Sequence, residues 1–215
     1  MKTLLGAKRR FGLVPLVCLV ALIGPIAKAQ LQPNDFEVPD GKIAKAAGDR
    51  LTVSTKEMRA TLKFPTQQNV TLKFIFLGQT KEVSRLGNGE VRSQFGIKLR
   101  AQDTCNIVYI MWHFSPDQKI AVSIKRNPGK RTHEDCLDSG YINNIKPRVS
   151  ALPQPVHIDE PHTLSAKMSG SNLTVKADDV LVWEGDLGPV ALEFDGPVGL
   201  RSDNAHLVFD FLVSR

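Results

Sequence analysis

The strongest constraint on the fold of this chain is an alternation of apolar and polar side chains with a period of two. The alternation recurs in short segments, among them residues 72–76, 95–99 and 120–124. Because successive side chains of a β-strand point to opposite faces, this pattern buries one set and leaves the other on an open face. Residues 107–114 are apolar on both sides, which predicts a central strand covered on both faces or one whose second face meets a ligand.

Turn signals separate these segments at short intervals, for example at residues 87–89, 115–117 and 127–129. No window shows a long apolar stripe with helical spacing, so helices are expected to be few and short. About 185 residues remain after the N-terminal segment considered next, and a single core is the most economical arrangement for them. The sequence therefore predicts an all-β fold, a two-sheet antiparallel β-sandwich of the jelly-roll kind.

Residues 1–29 have the three parts of a cleavable signal peptide. A basic stretch precedes an apolar run at residues 11–27, and Ala27-Lys28-Ala29 fits the cleavage pattern. The alternative is a retained membrane anchor, but the run is short for a bilayer and contains Pro15 and Pro25. We therefore expect a secreted protein, whether extracellular, periplasmic or on the cell surface, without stable membrane insertion.

Removal of this segment changes the charge of the chain. The full chain has 28 Lys and Arg against 22 Asp and Glu, and residues 1–29 contain five of the basic side chains and no acidic one. The expected mature chain is therefore close to neutral, and nucleic acid is not an expected partner.

Two cysteines, Cys105 and Cys136, remain once Cys18 has left with the signal peptide. In an oxidising compartment an even count indicates a disulfide bond. The alternative is a reactive cysteine or a metal ligand beside His133. A single H-x-x-C motif, however, supplies two ligands where zinc needs three or four.

The C-terminal third resembles the end of a concanavalin A-like lectin/glucanase domain of the laminin-G-like sort. The resemblance rests on the order of residues 162–166, 172–175 and 181–185, followed by residues 196–205 and the strand at 206–213. It implies a domain over residues 48–215, preceded by an N-terminal extension at 30–47. It also implies two curved antiparallel sheets whose concave face often holds carbohydrate, with polysaccharide or another glycan as the partner.

Glycan-binding modules, adhesion domains, glycoside hydrolases and polysaccharide lyases all use this fold, so the residues must decide among them. A hydrolase of the glucanase type needs paired carboxylates, and the E-x-D-x-x-E pattern is absent. Glu193 and Asp195 come nearest, and their alternation with apolar neighbours indicates the solvent-facing half of an ordinary strand.

An alginate-type lyase is the other enzymatic alternative. It needs cations to neutralise a uronate carboxylate, together with Tyr and His to move protons. The residue types are present, but the family's Q-(I/V)-H triplet does not occur. The candidate side chains for this chemistry are Arg92, Lys98, Arg100, Tyr109, His113, Lys125 and Tyr141.

Strand parity predicts a binding site. If Phe95, Ile97 and Leu99 are buried, Lys98 and Arg100 emerge on the opposite face, and the same parity places Lys125 opposite Ile124. Three cations on one face favour an acidic or sulfated sugar, with Tyr109 and His113 adding contact area. Trp112 and Trp183 are further aromatic candidates, although core packing accounts for both more simply.

No cofactor or catalytic metal is expected. A structural calcium ion has oxygen ligands available at Asp178-Asp179 and Asp203-Asn204, which fit turns equally well. We expect a secreted, non-catalytic carbohydrate-binding or adhesion module, with a lyase or hydrolase as the alternative and a structural envelope protein third. The particular glycan, the oligomeric state and glycosylation at Asn69 and Asn172 stay open.

Overall fold

The computed structural model describes residues 30–214, and β-strands dominate that part of the chain. The strands form two antiparallel sheets and are numbered here along the chain. The seven-stranded sheet has, in spatial order, β1 (Phe36–Asp40), β4 (Glu57–Leu62), β14 (Gly199–Asp203), β6 (Ser93–Leu99), β7 (Ile107–Ser115), β8 (Lys119–Lys125) and β9 (Tyr141–Ile142). The eight-stranded sheet has β10 (Val149–Ser150), β13 (Val180–Asp186), β12 (Asn172–Ala177), β11 (Pro161–Ser169), β5 (Asn69–Gln79), β15 (Ala205–Val213), β3 (Leu51–Val53) and β2 (Ala44–Lys45).

Helical structure within residues 30–214 is limited to short segments. One α-helix, α1 (His133–Cys136), lies between β8 and β9, and 3-10 turns occur at Pro33–Asp35, Ala47–Asp49 and Pro189–Leu192. None of the helices in this described range is long and apolar enough to cross a membrane. The predicted all-β sandwich with few short helices is confirmed. The signal peptide expected at residues 1–29 lies outside the described residues.

The apolar set of each alternating segment fills the space between the sheets. Phe95, Ile97 and Leu99 of β6 are all fully buried there, as the parity of the strand predicts. Trp112 of β7 is fully buried as well, and its ring lies 5.6 Å from that of Phe74 in the opposite sheet. Trp112 is therefore a core residue, in keeping with the simpler interpretation of the sequence.

Strand β7 is buried on both faces, as its continuous apolar run predicts. The outward-facing side chains Ile107, Tyr109 and Met111 form a second, smaller buried cluster with Ala101, and Tyr141 packs against it. This cluster gives the outer face of the seven-stranded sheet an apolar base among polar groups.

The N-terminal residues belong to the sandwich itself. Strand β1 pairs with β4, with Phe36 opposite Leu62, and β2 pairs with β3. Each sheet thus gains an edge strand from before residue 48, where the resemblance had placed the start of the domain. These strands are short, and Pro39 and Gly41 interrupt their alternation, so the sequence does not display them as part of the sheets.

Cys105 and Cys136 form a disulfide bond that joins the β6–β7 connection to α1. Both residues are almost fully buried. The predicted pairing is confirmed, and with both sulfurs bonded to each other, neither is available as a nucleophile or as a zinc ligand with His133.

Candidate functional site

The outer face of the seven-stranded sheet carries a group of polar and charged side chains, here called the polar sheet face. Its members alternate with core residues on five neighbouring strands, so ordinary strand parity places them on one side. They are Arg59 of β4, Arg201 and Asp203 of β14, Gln94 and Lys98 of β6, Tyr109 and His113 of β7, and Lys125 of β8, with Tyr141 on the edge strand β9.

Asp203 lies at the centre of this face and is fully buried. Its carboxylate accepts hydrogen bonds from Arg59 Nη2 at 2.6 Å, Gln94 Nε2 at 2.6 Å and Arg201 Nε at 2.8 Å. Burial alone would raise the pKa of Asp203, but Arg201 and Arg59 outweigh burial and hold the pKa far below its usual value. Asp203 is therefore ionised and fixes both guanidinium groups.

Lys98 is the buried amine of the polar sheet face. It is 2 % exposed and lies between Tyr109 and Gly199 in the sheet register. Burial, followed by the nearby charges of Arg59 and Arg201, lowers the pKa of Lys98 well below its usual value. Among residues 30–214, no group forms a hydrogen bond or an ion pair with Lys98 Nζ.

Two tyrosines form the aromatic part of the face. The rings of Tyr109 and Tyr141 stack with centroids 6.2 Å apart. The Arg201 guanidinium lies 5.2 Å from the Tyr109 centroid, and Lys125 Nζ lies 5.5 Å from that of Tyr141. These distances fit cation–π contacts, which hold the cations over the rings. Burial raises the pKa of Tyr109 to about 12, so its phenol stays protonated at neutral pH.

Two grooves open on the polar sheet face. The first has a volume of about 500 Å³, with Lys98, Lys125 and Arg59 in its lining and residues of the α1 segment along one wall. The second has a volume of about 810 Å³ and extends towards His113 and Trp183. Tyr109, Asp138, Tyr141 and Arg201 line both grooves. A chain-like ligand that crosses this face would therefore meet the tyrosine pair and Arg201 midway.

His113 contributes a neutral group to the second groove. Burial, then the charge of Arg92, lowers the pKa of His113 to about 3. Its Nε2 lies 3.4 Å from Arg92 Nη1. At neutral pH the imidazole therefore offers hydrogen bonding and contact area rather than positive charge.

The structure brings together four of the five predicted site residues. Lys98, Tyr109 and Lys125 line the first groove, and Tyr109 and His113 line the second. Arg100 does not join them. Strand β6 ends at Leu99, and Arg100 has a left-handed φ of 48°, so the parity that placed it beside Lys98 stops one residue earlier. Its Nη1 donates instead to the Phe194 carbonyl at 2.8 Å.

The carboxylate pair Glu193 and Asp195 does not lie on a strand, contrary to the interpretation from the sequence. Glu193 follows a 3-10 turn, and the two residues pair with separate arginines, Arg126 and Arg100. Pro189 begins that turn, and its ring fixes a backbone angle that suits the turn better than a central strand. Neither carboxylate lines either groove of the polar sheet face.

At both proposed calcium positions, one aspartate carboxylate is already bonded within the protein. Asp178 binds His162 Nδ1 and the backbone N–H of Thr163. It sits with Asp179 in a turn of left-handed residues. Asp203 is occupied by the arginines and Gln94, and Asn204 Oδ1 accepts a hydrogen bond from the Ser84 backbone N–H. Within residues 30–214, no cluster of His, Cys, Asp and Glu side chains is arranged to hold a metal ion.

Sequence reasoning did not place four members of the polar sheet face in the binding site, namely Arg59, Gln94, Arg201 and Asp203. The signal was present in the alternation of Arg59 with Met58, Ala60 and Leu62, and in that of Arg201 and Asp203 with Leu200 and Ser202. Ser202 and Ala60 occupy fully buried, inward-facing positions of these two strands. Because neither is a large apolar residue, the alternation is weaker and the segments look less like amphipathic strands.

Comparison with known proteins gives the class of fold. No protein-family model and no curated protein matches the chain. Carbohydrate-binding module CBM66 from Bacillus subtilis is similar in structure, with 15 % identity, a TM-score of 0.55, and coverage of 81 % of this chain and 91 % of that one. A variant of the Emp46p carbohydrate recognition domain has 12 % identity, a TM-score of 0.50, and coverage of 83 % and 88 % respectively. The fold is therefore a jelly-roll β-sandwich, the architecture that the resemblance implied.

Proposed function

We propose that the protein is a secreted, non-catalytic carbohydrate-binding module and that its polar sheet face holds an acidic or sulfated sugar. One observation carries the proposal: Lys98, Arg59 and Arg201 lie on the floor of a groove with Asp203 as their one buried carboxylate. Asp203 balances one of the two guanidinium charges, and the partly exposed Glu57 carboxylate lies 3.7 Å from Arg59 Nη2 at the groove border. Lys98 has no such partner, and a ligand with a negative group would supply one.

Acidic side chains also border the first groove, namely Asp40, Glu57, Glu134 and Asp138. Three of the four are exposed and the fourth is partly so. Exposed carboxylates keep their hydration and are screened by salt, whereas the buried cations of the floor have lost most of theirs. The buried groups therefore have more to gain from a bound anion than the exposed ones have to lose.

The aromatic pair supports binding of a sugar rather than a simple ion. Sugar rings pack their C–H faces against aromatic rings, and Tyr141 is partly exposed where the two grooves meet. The two similar solved structures are named as a carbohydrate-binding module and a carbohydrate recognition domain, which supports the same class of function for this chain.

A polysaccharide lyase is the second candidate. Lys98, Tyr109 and Arg201 line one groove, and they correspond to a base, a proton donor and a cation that neutralises a carboxylate. The lyase would produce unsaturated uronate ends, whereas a binding module would leave the polysaccharide intact.

Affinity electrophoresis against a panel of acidic, sulfated and neutral polysaccharides tests the proposal. Acidic polysaccharides should retard the protein, and Tyr141→Leu should weaken that binding about tenfold, equivalent to about 1.4 kcal/mol, because the stacking surface is lost. Phe64→Leu is the matched control, since Phe64 is a partly buried aromatic residue that lines neither groove. Absence of retardation by every polysaccharide would overturn the proposal, and release of unsaturated uronates would replace it with the lyase.

A further inference from the structure

Lys98 is the most unusual group of the polar sheet face because it is buried without a partner. Only 2 % of its surface is exposed, and no described residue from 30 to 214 pairs with its Nζ. By contrast, Lys125 Nζ donates to the Leu137 carbonyl at 2.5 Å, and both nearby arginines bind Asp203. A side chain buried to this degree lacks the protein partner that buried polar groups normally have, and Lys98 lines the first groove.

The charges around Lys98 make the site receptive to an anion. Strands β4 and β14 bring Arg59 and Arg201, which both bind the buried carboxylate of Asp203, and Arg59 Nη2 also lies 3.7 Å from the Glu57 carboxylate. The other titratable groups that line the first groove are Asp40 on β1, Glu57 on β4, Tyr109 on β7, Lys125 on β8, Tyr141 on β9, and Arg131, His133, Glu134 and Asp138 around α1, with His113 farther along β7. Asp40 and Glu57 lie towards solvent at the groove border, Tyr109 and His113 are neutral, and Lys125 adds positive charge.

We propose that the floor of the first groove is a site for one anionic group, a carboxylate or a sulfate ester, and that Lys98 takes up a proton when it is filled. In the empty protein the ammonium form of Lys98 has no counterion and faces two guanidinium groups, so the neutral amine is favoured. A bound anion supplies the counterion. The amine then accepts one proton from solvent and becomes an ammonium group that pairs with the ligand.

This inference rests on the proposed function and deepens it. It names the groove floor as the site of the sugar's acidic group and the protonation of Lys98 as the result of binding. The direction of the Lys98 pKa agrees with it, since burial and the two arginines lower the pKa. Binding that requires protonation of Lys98 weakens as the pH rises above the pKa that Lys98 has in the empty protein. The affinity should then fall by up to tenfold for each pH unit, until the pH reaches the pKa that Lys98 has in the complex.

The test follows the side-chain resonance of Lys98 by NMR during pH titrations of the full protein labelled with ¹³C-lysine. Lys98→Met assigns the resonance, and Lys73→Met, at an exposed lysine of β5 on the other sheet, is the matched control. Titrations are run at constant ionic strength with sodium chloride alone, sodium glucuronate, glucose 6-sulfate and methyl glucuronate, the last being a neutral comparison.

Glucuronate or glucose 6-sulfate should raise the titration midpoint of Lys98 by at least one pH unit, and the more effective anion identifies the preferred group. In Lys98→Met, the affinity for glucuronate should lose its dependence on pH, whereas Lys73→Met should keep it. An unchanged Lys98 midpoint with both anions, or an equal shift with methyl glucuronate, would overturn the inference.

The outcome also separates this inference from the proposed function. If polysaccharides retard the protein while Lys98 does not respond to either anion, the binding module stands and the anion site is wrong. If Lys98 responds to the anions while no polysaccharide retards the protein, the anion site stands and the proposed function is wrong.

Discussion

Asp203 organises the polar sheet face at the scale of single residues. Without its carboxylate, Arg59 and Arg201 would be two neighbouring cations with no buried counterion, and Gln94 Nε2 would lose its acceptor. Because Asp203 is fully buried, it positions these side chains while remaining out of reach of a ligand in the groove. Arg59 and Arg201, which Asp203 holds in place, line the first groove.

His113 leads to a prediction about stability and pH. Its pKa is about 3 in the folded protein against an ordinary 6.5, so the unfolded chain binds more protons between these values. Stability should therefore fall as the pH drops through this range, by about 2 kcal/mol between pH 7 and pH 5 from this group. Urea unfolding at the two pH values measures the loss, and His113→Gln should reduce it by that amount.

The control for this prediction is His157→Gln, because His157 is exposed. This variant should lose as much stability on acidification as the unaltered protein does. An identical pH dependence in His113→Gln and in the unaltered protein would show that His113 is not the group responsible.

Strand parity accounts for the residues that the sequence predicts correctly and for the one that it misplaces. Lys98 and Lys125 lie opposite the core because the alternation of β6 and β8 continues through them. Alternation also predicts Arg100 on this face, but Arg100 lies past the end of β6, where its left-handed backbone conformation changes the direction of the chain. The sequence marks alternation clearly and marks the last residue of a strand poorly, since that point depends on pairing with neighbours.

At the scale of elements, the segment between β8 and β9 forms a wall of the first groove. It contains α1 and contributes Arg131, Thr132, His133 and Glu134 to the lining. The disulfide bond fixes this segment to the β6–β7 connection, and the Thr104 backbone N–H donates to the Arg131 carbonyl at 3.3 Å. The position of the wall therefore depends on the disulfide.

Removal of the disulfide should weaken both stability and ligand binding. In the chain-entropy model, a loop of this length contributes about 3 to 4 kcal/mol to the free energy of unfolding. Urea unfolding of the double variant Cys105→Ala/Cys136→Ala should show a loss of this size. Affinity for the best acidic polysaccharide should fall several-fold at a temperature where the variant is folded, because the wall is no longer held.

The control is the unaltered protein, measured in the same two assays without reductant, which leaves the disulfide intact, and with reductant, which opens it. A double variant that is less stable but binds with unchanged affinity would show that the wall takes no part in the site. Unchanged stability would contradict the structural role of the disulfide itself.

At the scale of the whole molecule, the two outer faces of the sandwich differ in character. The outer face of the eight-stranded sheet carries short hydroxyl side chains and exposed lysines, such as Thr71, Lys73, Ser165 and Lys167. These lysines are exposed, whereas Lys98 and Lys125 of the polar sheet face are buried and the partly buried Arg59 and Arg201 bind Asp203. We therefore expect the seven-stranded sheet to be the binding side of the molecule.

The sequence predicts the sandwich because several core strands, such as β5, β6 and β8, carry their own period-two signal, and the run at residues 107–114 predicts the strand covered on both faces. It does not predict the grooves. They depend on which strands are neighbours, such as β14 between β4 and β6, and on how the α1 segment folds over the sheet. Those are long-range pairings that a single sequence does not specify.

An amide chemical-shift map of the ¹⁵N-labelled protein with an acidic oligosaccharide tests the central claim most directly, which is that the polar sheet face binds the glycan. The account predicts that perturbed amides cluster around Lys98, Tyr109 and Arg201 and in the α1 segment. Strands β11 and β12 of the eight-stranded sheet should stay unperturbed. A cluster of perturbed amides on β11 and β12, with none around Lys98 and Arg201, would contradict the claim.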